Sequence, residues 1–495
     1  MTMTEIAKHD RIAGPLHLMS IGGRRVTAAA GQSLDVVDPS TEETIGSIPA
    51  AGAADVAEAV AAASEASRWW RALDWRARAE RLWELSRRIE ESAQELALLD
   101  VVDSGNPLTG MQADVRRAVE EVRYFAGLGG ELKGDTIPWT DRQFASTTRE
   151  AYGVVGRITA YNHPLMFAAG KCAAPLMAGN AVVLKPSEHT SLSSLRLAEL
   201  AEDVLPPGVL NVVTGTGFAA GSALVEHPDV PRVAFTGGVR TGQAILRAAA
   251  EHIKHVSLEL GGKNPMIVFP DVDVPAAVAA AVAGMNLRRS MGQSCQSTAR
   301  LLVHRSILAE FTDRLVQAVE GLRIGDPRRE DVDMGPLAFA AHYQRVMDYI
   351  EVGKSEGAKV VTGGGRPEGM DVGYYVAPTV FTDVQADMRI ATEEIFGPVM
   401  TVLAWEDYDE MMAMANAVDY GLTANIWTND LSLAHRTARL VESGLVWING
   451  DGSKPFGVPF GGTKLSGLGK EGALEELVGY TRAKSIVLNI GGAQH

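Results

Sequence analysis

Short apolar runs rich in β-branched residues alternate with helical patterns from about residue 154 onward, and this alternation constrains the fold most. The predicted strands are 154–160, 181–184, 209–213, 232–235 and 265–269. The predicted helices between them are 191–204 and 241–252. Strands joined by helices pair in parallel through crossover connections, with helices packed on the sheet. The pattern therefore predicts a parallel α/β sheet of the dinucleotide-binding type.

A second α/β series follows residue 295 and predicts a second domain. Its strands are 300–304, 399–405 and 445–449, and its helices are 307–322 and 434–442. Upstream, the stretch 55–102 contains no Pro or Gly and is predicted to be helical until the break at 104–107. Two further strands are predicted at 144–153 and 483–490. We expect these two strands either to form a sheet that bridges subunits or to be plain edge strands.

Length and composition describe a soluble protein of several domains. The chain has 495 residues, of which 46% are hydrophobic and 22% are charged, and this length favours two or three domains. The net charge of −15 argues against nucleic acids and anionic membranes, since both need a basic surface. Two cysteines are too few for a disulfide framework, so we expect a reducing, cytoplasmic location. No signal peptide, membrane span or metal site is predicted.

One of the two cysteines lies where a thiol could meet a substrate. Cys295 is in the polar, glycine-containing segment Met291-Gly292-Gln293-Ser294-Cys295-Gln296. Glu259 lies upstream, and its carboxylate could reach the thiol through one water. A thiolate nucleophile with a carboxylate as general base is a pairing suited to covalent catalysis.

Three predicted strand ends carry further polar groups. A glycine turn at 236–242 leads into a helix, where backbone N–H groups can bind a phosphate; the full G-x-G-x-x-G spacing is absent, and such glycines also occur for steric reasons. Lys185 and Glu188 could hold a ribose or be a solvated strand end. Asn162 could donate to an oxyanion or only stabilise a turn. His163 has no visible acidic partner and is predicted to be part of a pocket wall.

The order of these motifs resembles the NAD(P)-dependent aldehyde dehydrogenase superfamily over about residues 20–490. The resemblance rests on Asn162 and on the segments 185–188, 236–242, 259–263, 292–295, 325–327, 333–336, 393–398 and 459–462. It implies the aldehyde dehydrogenase-like α/β fold, with a Rossmann-type cofactor domain, an α/β catalytic domain and a small oligomerisation β-sheet. The implied boundaries are 1–133 and 154–261 for the NAD-binding domain, 262–465 for the catalytic domain, and 134–153 and 478–495 for the oligomerisation arm. A homodimer or homotetramer is also implied.

The resemblance implies a mechanism for aldehyde oxidation that starts at Cys295. This thiol would attack the aldehyde to give a thiohemiacetal, whose oxyanion would be held by Asn162 and the Cys295 backbone N–H. Hydride transfer to NAD would leave a thioester, and water activated by Glu259 would hydrolyse it to the acid. Lys171 and Glu471 match family positions that relay protons, although a surface salt bridge would also account for each.

Cofactor contacts carry over from the resemblance in the same way. Glu188 would repel a 2′-phosphate, so NAD is expected and NADP remains possible. The implied cofactor-binding residues are Ile158, Thr159, Lys185, Ser187, Glu188, Gly217, Phe235, Thr236, Gly237, Gly238, Thr241, Leu260, Gly261, Glu394 and Phe396.

The implied substrate residues depart most from the family pattern. Arg288 and Arg289 stand where apolar residues are usual, and Gly170 stands where a bulky aromatic is common, which would widen the tunnel. We expect a bulky or oxygen-bearing aldehyde, aromatic or with a carboxylate that Arg289 or Lys454 could meet, unless both cations point to solvent. If the arginines face Cys295, they should lower the pKa of its thiol. The implied substrate residues are His163, Phe167, Gly170, Arg289, Ser294, Gln296, Lys454 and Phe460.

Two other functions remain open from the sequence. A CoA-acylating aldehyde dehydrogenase would share the fold, but such enzymes generally lack a carboxylate at the position of Glu259. A non-catalytic structural relative would be expected to have lost Cys295, Glu259 or Asn162, and all three are present.

Overall fold

The computed structural model describes residues 16–140 and 143–489, and most of its strands belong to two large sheets. In chain order the strands are β1 (Met19–Ile21), β2 (Arg24–Val26), β3 (Ser33–Val37), β4 (Thr44–Pro49), β5 (Thr136–Thr140), β6 (Gln143–Ala151), β7 (Val154–Ile158), β8 (Ala181–Lys185), β9 (Leu210–Val212), β10 (Arg232–Gly237), β11 (His255–Leu260), β12 (Pro265–Val268), β13 (Arg300–His304), β14 (Lys359–Thr362), β15 (Thr379–Thr382), β16 (Val399–Trp405), β17 (Tyr420–Gly421), β18 (Thr423–Trp427), β19 (Leu445–Ile448), β20 (Thr463–Lys464), β21 (Gly467–Leu468) and β22 (Thr481–Asn489).

Helices connect these strands and cover the sheets. The α-helices of the described residues are Ala53–Trp70, Trp75–Glu91, Ala93–Ser104, Leu108–Gly127, Lys171–Met177, Leu192–Ala201, Ser222–Glu226, Val239–Ala250, Val274–Gly284, Leu287–Ser290, Leu308–Glu320, Ala340–Ser355, Arg389–Thr392, Tyr408–Asn416, Leu431–Leu440 and Leu474–Gly479. No helix within these residues is both long and apolar enough to cross a membrane.

The first sheet has the order β2-β1-β9-β8-β7-β10-β11-β21, and its five central strands are parallel. Successive side chains of β8 enter opposite cores: Val182 and Leu184 pack in one cluster, and Ala181 and Val183 in the other. A strand buried on both faces reads as a continuous apolar run, which is why the sequence pattern predicted it correctly.

The second sheet has the order β14-β15-β16-β13-β12-β18-β19 and is parallel except for the edge strand β14. Here too the strands divide two cores, since Met266 and Val268 pack on one face and Ile267 on the other. The mixed α/β fold predicted from the sequence is therefore confirmed.

A third, three-stranded sheet has the order β22-β6-β5. Strands β22 and β6 pair antiparallel over nine residues each. Several apolar side chains of this sheet are exposed, among them Trp139 at 68% and Val487 at 55%. The predicted strand 483–490 is β22, and its last residue lies outside the described part of the chain.

The predicted helical stretch 55–102 is divided into three helices. The second helix begins after Asp74, whose side chain accepts a hydrogen bond from the Ala77 backbone N–H at 3.0 Å. A side chain in this position satisfies a donor that the first helical turn leaves free, so it favours a new start. The third helix follows Ser92, which lies outside helical geometry. The absence of Pro and Gly thus does not make this stretch one helix.

Candidate active site

The two large sheets meet at a crevice beyond the carboxyl end of β11. This strand leads through Gly261-Gly262 directly into the second sheet at β12. A cavity of about 620 Å³ opens there, lined by strand ends of the first sheet and by loops and helices that lie between the strands of both sheets. Crevices at the carboxyl ends of parallel strands are the usual ligand sites of open α/β sheets.

Cys295 borders this cavity on a loop held by hydrogen bonds. The loop follows the short helix Leu287–Ser290 and turns at Gly292, where φ is +75°. A Cβ at Gly292 would lie 2.5 Å from the Gly397 carbonyl oxygen, so the turn requires glycine. The Asn264 amide donates to the carbonyl of Cys295 at 2.7 Å and to that of Ser297 at 3.0 Å. The backbone of the nucleophile candidate is therefore fixed in place.

Cys295 and Glu259 border the same cavity, close enough for each to shift the pKa of the other. Oε1 of Glu259 is buried and has no protein partner. Burial, with the nearby charge of Glu471, raises the pKa of Glu259 to about 8. Burial and the Glu259 carboxylate raise the pKa of the thiol.

The condition under which the neighbouring arginines would lower the pKa of the thiol is not met. Arg288 binds Asp333 at 3.1 Å near the surface. Arg289 binds Asp114, with Nε 2.7 Å from Oδ1. Asp114 is wholly buried on the helix Leu108–Gly127. Both guanidinium groups are therefore paired with carboxylates. Burial and the charge of Glu259 determine the direction in which the pKa of the thiol shifts.

The same Asp114 also binds His163, and the expectation that this histidine lacks an acidic partner is wrong. Nδ1 of His163 lies 2.6 Å from Oδ2 of Asp114. The two bonds that Asp114 forms with His163 and Arg289 lower its pKa, although its burial opposes this. The sequence did not point to Asp114, because nothing in the helix 108–127 sets it apart from its other acidic residues.

Asn162 lies at the cavity with part of its amide engaged. Its Nδ2 donates at 2.9 Å to the backbone carbonyl of Gln293, which is two residues before Cys295. The backbone carbonyl of Asn162 accepts from the side-chain amide of Asn106 at 2.9 Å. One Nδ2–H of Asn162 therefore fixes the side chain beside the nucleophile loop, and the amide has a second N–H to offer.

Lys171 and Glu471 form a buried pair, so the alternative of a surface salt bridge is wrong. Nζ of Lys171 donates to Oε2 of Glu471, and Arg157 donates to Oε1 at 2.9 Å. Arg157 is completely buried in the middle of β7. The two cations lower the pKa of Glu471 to about 2 against the effect of burial. A signal existed for Arg157, since an arginine within an apolar strand requires a buried acidic partner.

All of the residues that the resemblance implied for cofactor binding line the cavity. Glu188 accepts from the Gly217 backbone N–H at 3.3 Å, and Lys185 lies 3.4 Å from Glu188. Gly238 precedes the helix Val239–Ala250, and no atom lies within 4 Å of a Cβ placed on Gly217 or Gly238. The backbone N–H groups at this helix start therefore face open space that an anion can enter.

Glu394 borders the same cavity next to the sheet crossover. Its Oε1 accepts from the Gly262 backbone N–H at 2.9 Å, and burial raises its pKa to about 7. A Cβ on Gly261 would collide with the Glu394 carboxylate. The cavity also has wall residues that sequence reasoning missed, which are Ala160, Tyr161, Gly221, Ser222, Val225, Glu226, Ala244, Ile245, Ala248, Phe339, Ala341, His342 and Arg345.

Of the implied substrate residues, Phe167 lines this cavity, and Phe460 pairs through its backbone with Glu471. The prediction that Gly170 widens the substrate tunnel is wrong, because a Cβ there would lie 2.5 Å from Oε2 of Glu121. The carboxylate of Glu121 occupies the room that Gly170 leaves. Ser294, Gln296 and Lys454 do not line the cavity that holds the thiol.

The geometry defines an α/β protein with a thiol–carboxylate pair at a nucleotide-sized crevice, and comparisons with known proteins agree. A model of the aldehyde dehydrogenase family matches residues 26–486. Aldehyde dehydrogenase tropH of Talaromyces stipitatus is 43% identical over 492 residues, which is 97% of this chain and 95% of that protein. The chain belongs to the aldehyde dehydrogenase family.

Solved structures extend the likeness to three dimensions. The NAD+ complex of aldehyde dehydrogenase from Bacillus cereus superposes with a TM-score of 0.95 at 38% identity, covering 99% of both chains. HpcC from Thermus thermophilus gives a TM-score of 0.96 at 37% identity, covering 99% of this chain and 97% of that one. The likeness in sequence and structure therefore extends over nearly the whole chain.

Proposed function

We propose that the protein oxidises an aldehyde to the carboxylic acid with NAD, using Cys295 as nucleophile and Glu259 as general base. The observation that carries this proposal is that Cys295 and Glu259 border one cavity, close enough for each to shift the other's pKa, and that Oε1 of Glu259 is buried without a protein partner. That oxygen is free to receive a water, and the raised pKa of about 8 makes Glu259 a strong base once it is ionised.

The residues around the cavity fit NAD. Glu188 and Lys185 are suited to the hydroxyls of the adenosine ribose, the N–H groups near Gly238 to the pyrophosphate, and Glu394 to the second ribose. The Glu188 carboxylate disfavours a 2′-phosphate, which supports NAD over NADP. Among the solved relatives, the Bacillus cereus protein is described as an NAD+ complex. When bound, NAD supplies the acceptor for the hydride.

The protein groups act in two stages. The thiol passes its proton to Glu259 and attacks the aldehyde carbon, and the oxyanion is held by the Asn162 amide and the Cys295 N–H. Glu259 then releases the thiol proton, and Lys171 and Glu471 are suited to pass it onward, since Glu471 lies close enough to shift the pKa of Glu259. After the thiohemiacetal loses its hydride, the ionised Glu259 takes a proton from water, which attacks the thioester. The acid is released, and the departing thiolate of Cys295 takes this second proton back from Glu259.

A panel of aldehydes with NAD or NADP, with and without CoA, tests this function by NADH or NADPH absorbance and product analysis. We expect NADH and the free acid. An acyl-CoA product would identify a CoA-acylating enzyme instead. No signal with any aldehyde or cofactor would favour a non-catalytic relative.

We also propose the domain and subunit organisation implied by the resemblance. The first sheet with its helices, residues 1–133 and 154–261, would bind NAD, and residues 262–465 would carry the nucleophile. Residues 134–153 and 478–495 would form the arm, and the exposed Trp139 and Val487 support contact with another copy. Light scattering should give a dimer or tetramer, and a monomer would contradict the proposal. Two unpaired cysteines support a cytoplasmic location, which microscopy of a tagged chain would test.

A further inference from the structure

Two cations lie close together beside the elements that carry Phe167 and Phe460. Arg117 is on the helix Leu108–Gly127, and its guanidinium carbon lies 3.5 Å from the centre of the Phe456 ring. Lys454 is two residues before Phe456; its Nζ lies 5.9 Å from the centre of the Phe460 ring and donates to the Val458 carbonyl at 3.1 Å. Burial, followed by the charge of Arg117, lowers the pKa of Lys454 to about 8.

Neither cation has a counter-ion in direct contact. Within residues 16–140 and 143–489, no carboxylate oxygen lies within 4 Å of the side-chain nitrogens of Arg117 or Lys454. By contrast, Arg289 is bound by Asp114 and Lys171 by Glu471. Carboxylates act on the two cations only from a greater distance, Glu121 and Glu120 on Arg117, and Glu121 and Glu476 on Lys454. Both cations are therefore left without a direct partner.

The position of these two cations relates them to the path of the substrate. Glu121 lies against Gly170, on the same helical segment as the cavity residue Phe167. Lys454 lies against Gly472, with Nζ 2.6 Å from a Cβ placed there, and Gly472 follows Glu471. The cations are therefore next to the elements that carry Phe167, Lys171 and Glu471.

We infer that the substrate is an aldehyde with a carboxylate at its far end, and that Arg117 and Lys454 bind this carboxylate. The planar guanidinium can donate two parallel hydrogen bonds to a carboxylate, and the ammonium adds a point charge. Tyr124 stacks on Phe456 with ring centres 5.3 Å apart, so the aromatic face under Arg117 is itself supported. The inference rests on the proposed function and assigns the group that selects among aldehydes.

Matched substrates give the test. We would compare 4-carboxybenzaldehyde and glutaric semialdehyde with their methyl esters, which have nearly the same shape but no charge. The wild type should favour each acid over its ester in kcat/KM. In Arg117→Gln and in Lys454→Met this preference should fall about ten- to hundredfold, because each variant removes a hydrogen bond to a charged group. The loss should lie in KM rather than kcat, and Arg117→Lys should restore part of it.

Arg116→Gln is the matched control, because Arg116 is the exposed neighbour of Arg117 on the same helix; its acid-to-ester preference should equal that of the wild type. Equal use of acid and ester by the wild type, or a preference that Arg117→Gln leaves intact, would overturn the inference. Oxidation of both substrates without preference would leave the proposed function standing, whereas oxidation of neither would refute that function. If Arg117→Gln folds poorly, glutarate should inhibit wild-type oxidation of the ester competitively, and no inhibition would overturn the inference.

Discussion

Replacing Glu259 with glutamine separates the two stages proposed for the reaction. The change keeps the size of the side chain and removes its ability to accept a proton. Because Oε1 of Glu259 is buried and has no protein partner, we expect the water step to be affected most. The thioester should still form, because loss of the Glu259 charge lowers the pKa of the thiol, and it should then persist.

The size of the effect follows from the surroundings of Glu259. Raising its pKa from 4.5 to about 8 makes its charged form about 5 kcal/mol less favourable than in water. Roughly one tenth of the carboxyl groups are then ionised at pH 7, so the water step should quicken about fivefold between pH 7 and pH 8 and level off above pH 9. A positioned general base contributes about 10²–10⁴ in rate, which is the loss expected in Glu259→Gln.

Stopped-flow absorbance and intact mass spectrometry measure this prediction. The variant should release about one NADH per active site and then turn over slowly, with the acyl group on Cys295 and no rise in rate near pH 8. Its thiol should also be alkylated faster at neutral pH, since Glu259 is the main charge that raises the thiol pKa. Cys295→Ser should lack both phases. Wild-type turnover in Glu259→Gln, or a folded variant without the burst, would refute the reasoning.

Three further substitutions test separate parts of the site. Asn162→Ala should lower kcat by about 10²–10³, because it removes one donor to the oxyanion; an unchanged kcat in steady-state assays would remove Asn162 from the mechanism. Asp114→Asn should cost about 3–5 kcal/mol in urea unfolding, since Arg289 and His163 lose a buried carboxylate; an unchanged midpoint would show that this ion pair contributes nothing to stability. Glu188→Gln should raise kcat/KM for NADP relative to NAD, since it removes the charge facing a 2′-phosphate; a constant ratio would refute that role.

The sequence predicted the fold well where a strand is buried on both of its faces. Strands β8 and β12 are covered on both faces, so their composition alone marks them as strands of a parallel sheet. The helical stretch 55–102 was harder to divide, because the break before Trp75 depends on the capping side chain of Asp74 and not on a helix-breaking residue. Local side-chain chemistry decided that boundary.

The candidate site was likewise predicted only in part. Cys295 and Glu259 stand in segments that are distinctive by themselves, and the structure brings them to the same cavity. Their supporting partners come from remote parts of the chain: Asp114 is 49 positions from His163, and Arg157 is 314 positions from Glu471. A single sequence contains no information on which distant charges meet. For Glu121, only the structure shows that it fills the room beside Gly170.

The crossover at Gly261-Gly262 has a consequence for how the molecule unfolds. Gly262 donates to Glu394, a Cβ on Gly262 would lie 2.8 Å from the Cys295 carbonyl, and β11 on its other side carries Glu259. The nucleophile loop, the base and the ribose-binding candidate are thus held at a chain segment that joins the two sheets. A ligand held there spans both sheets, so its binding energy resists their separation. We expect saturating NAD to merge any separate calorimetric transitions of the two sheets into one, at a higher temperature.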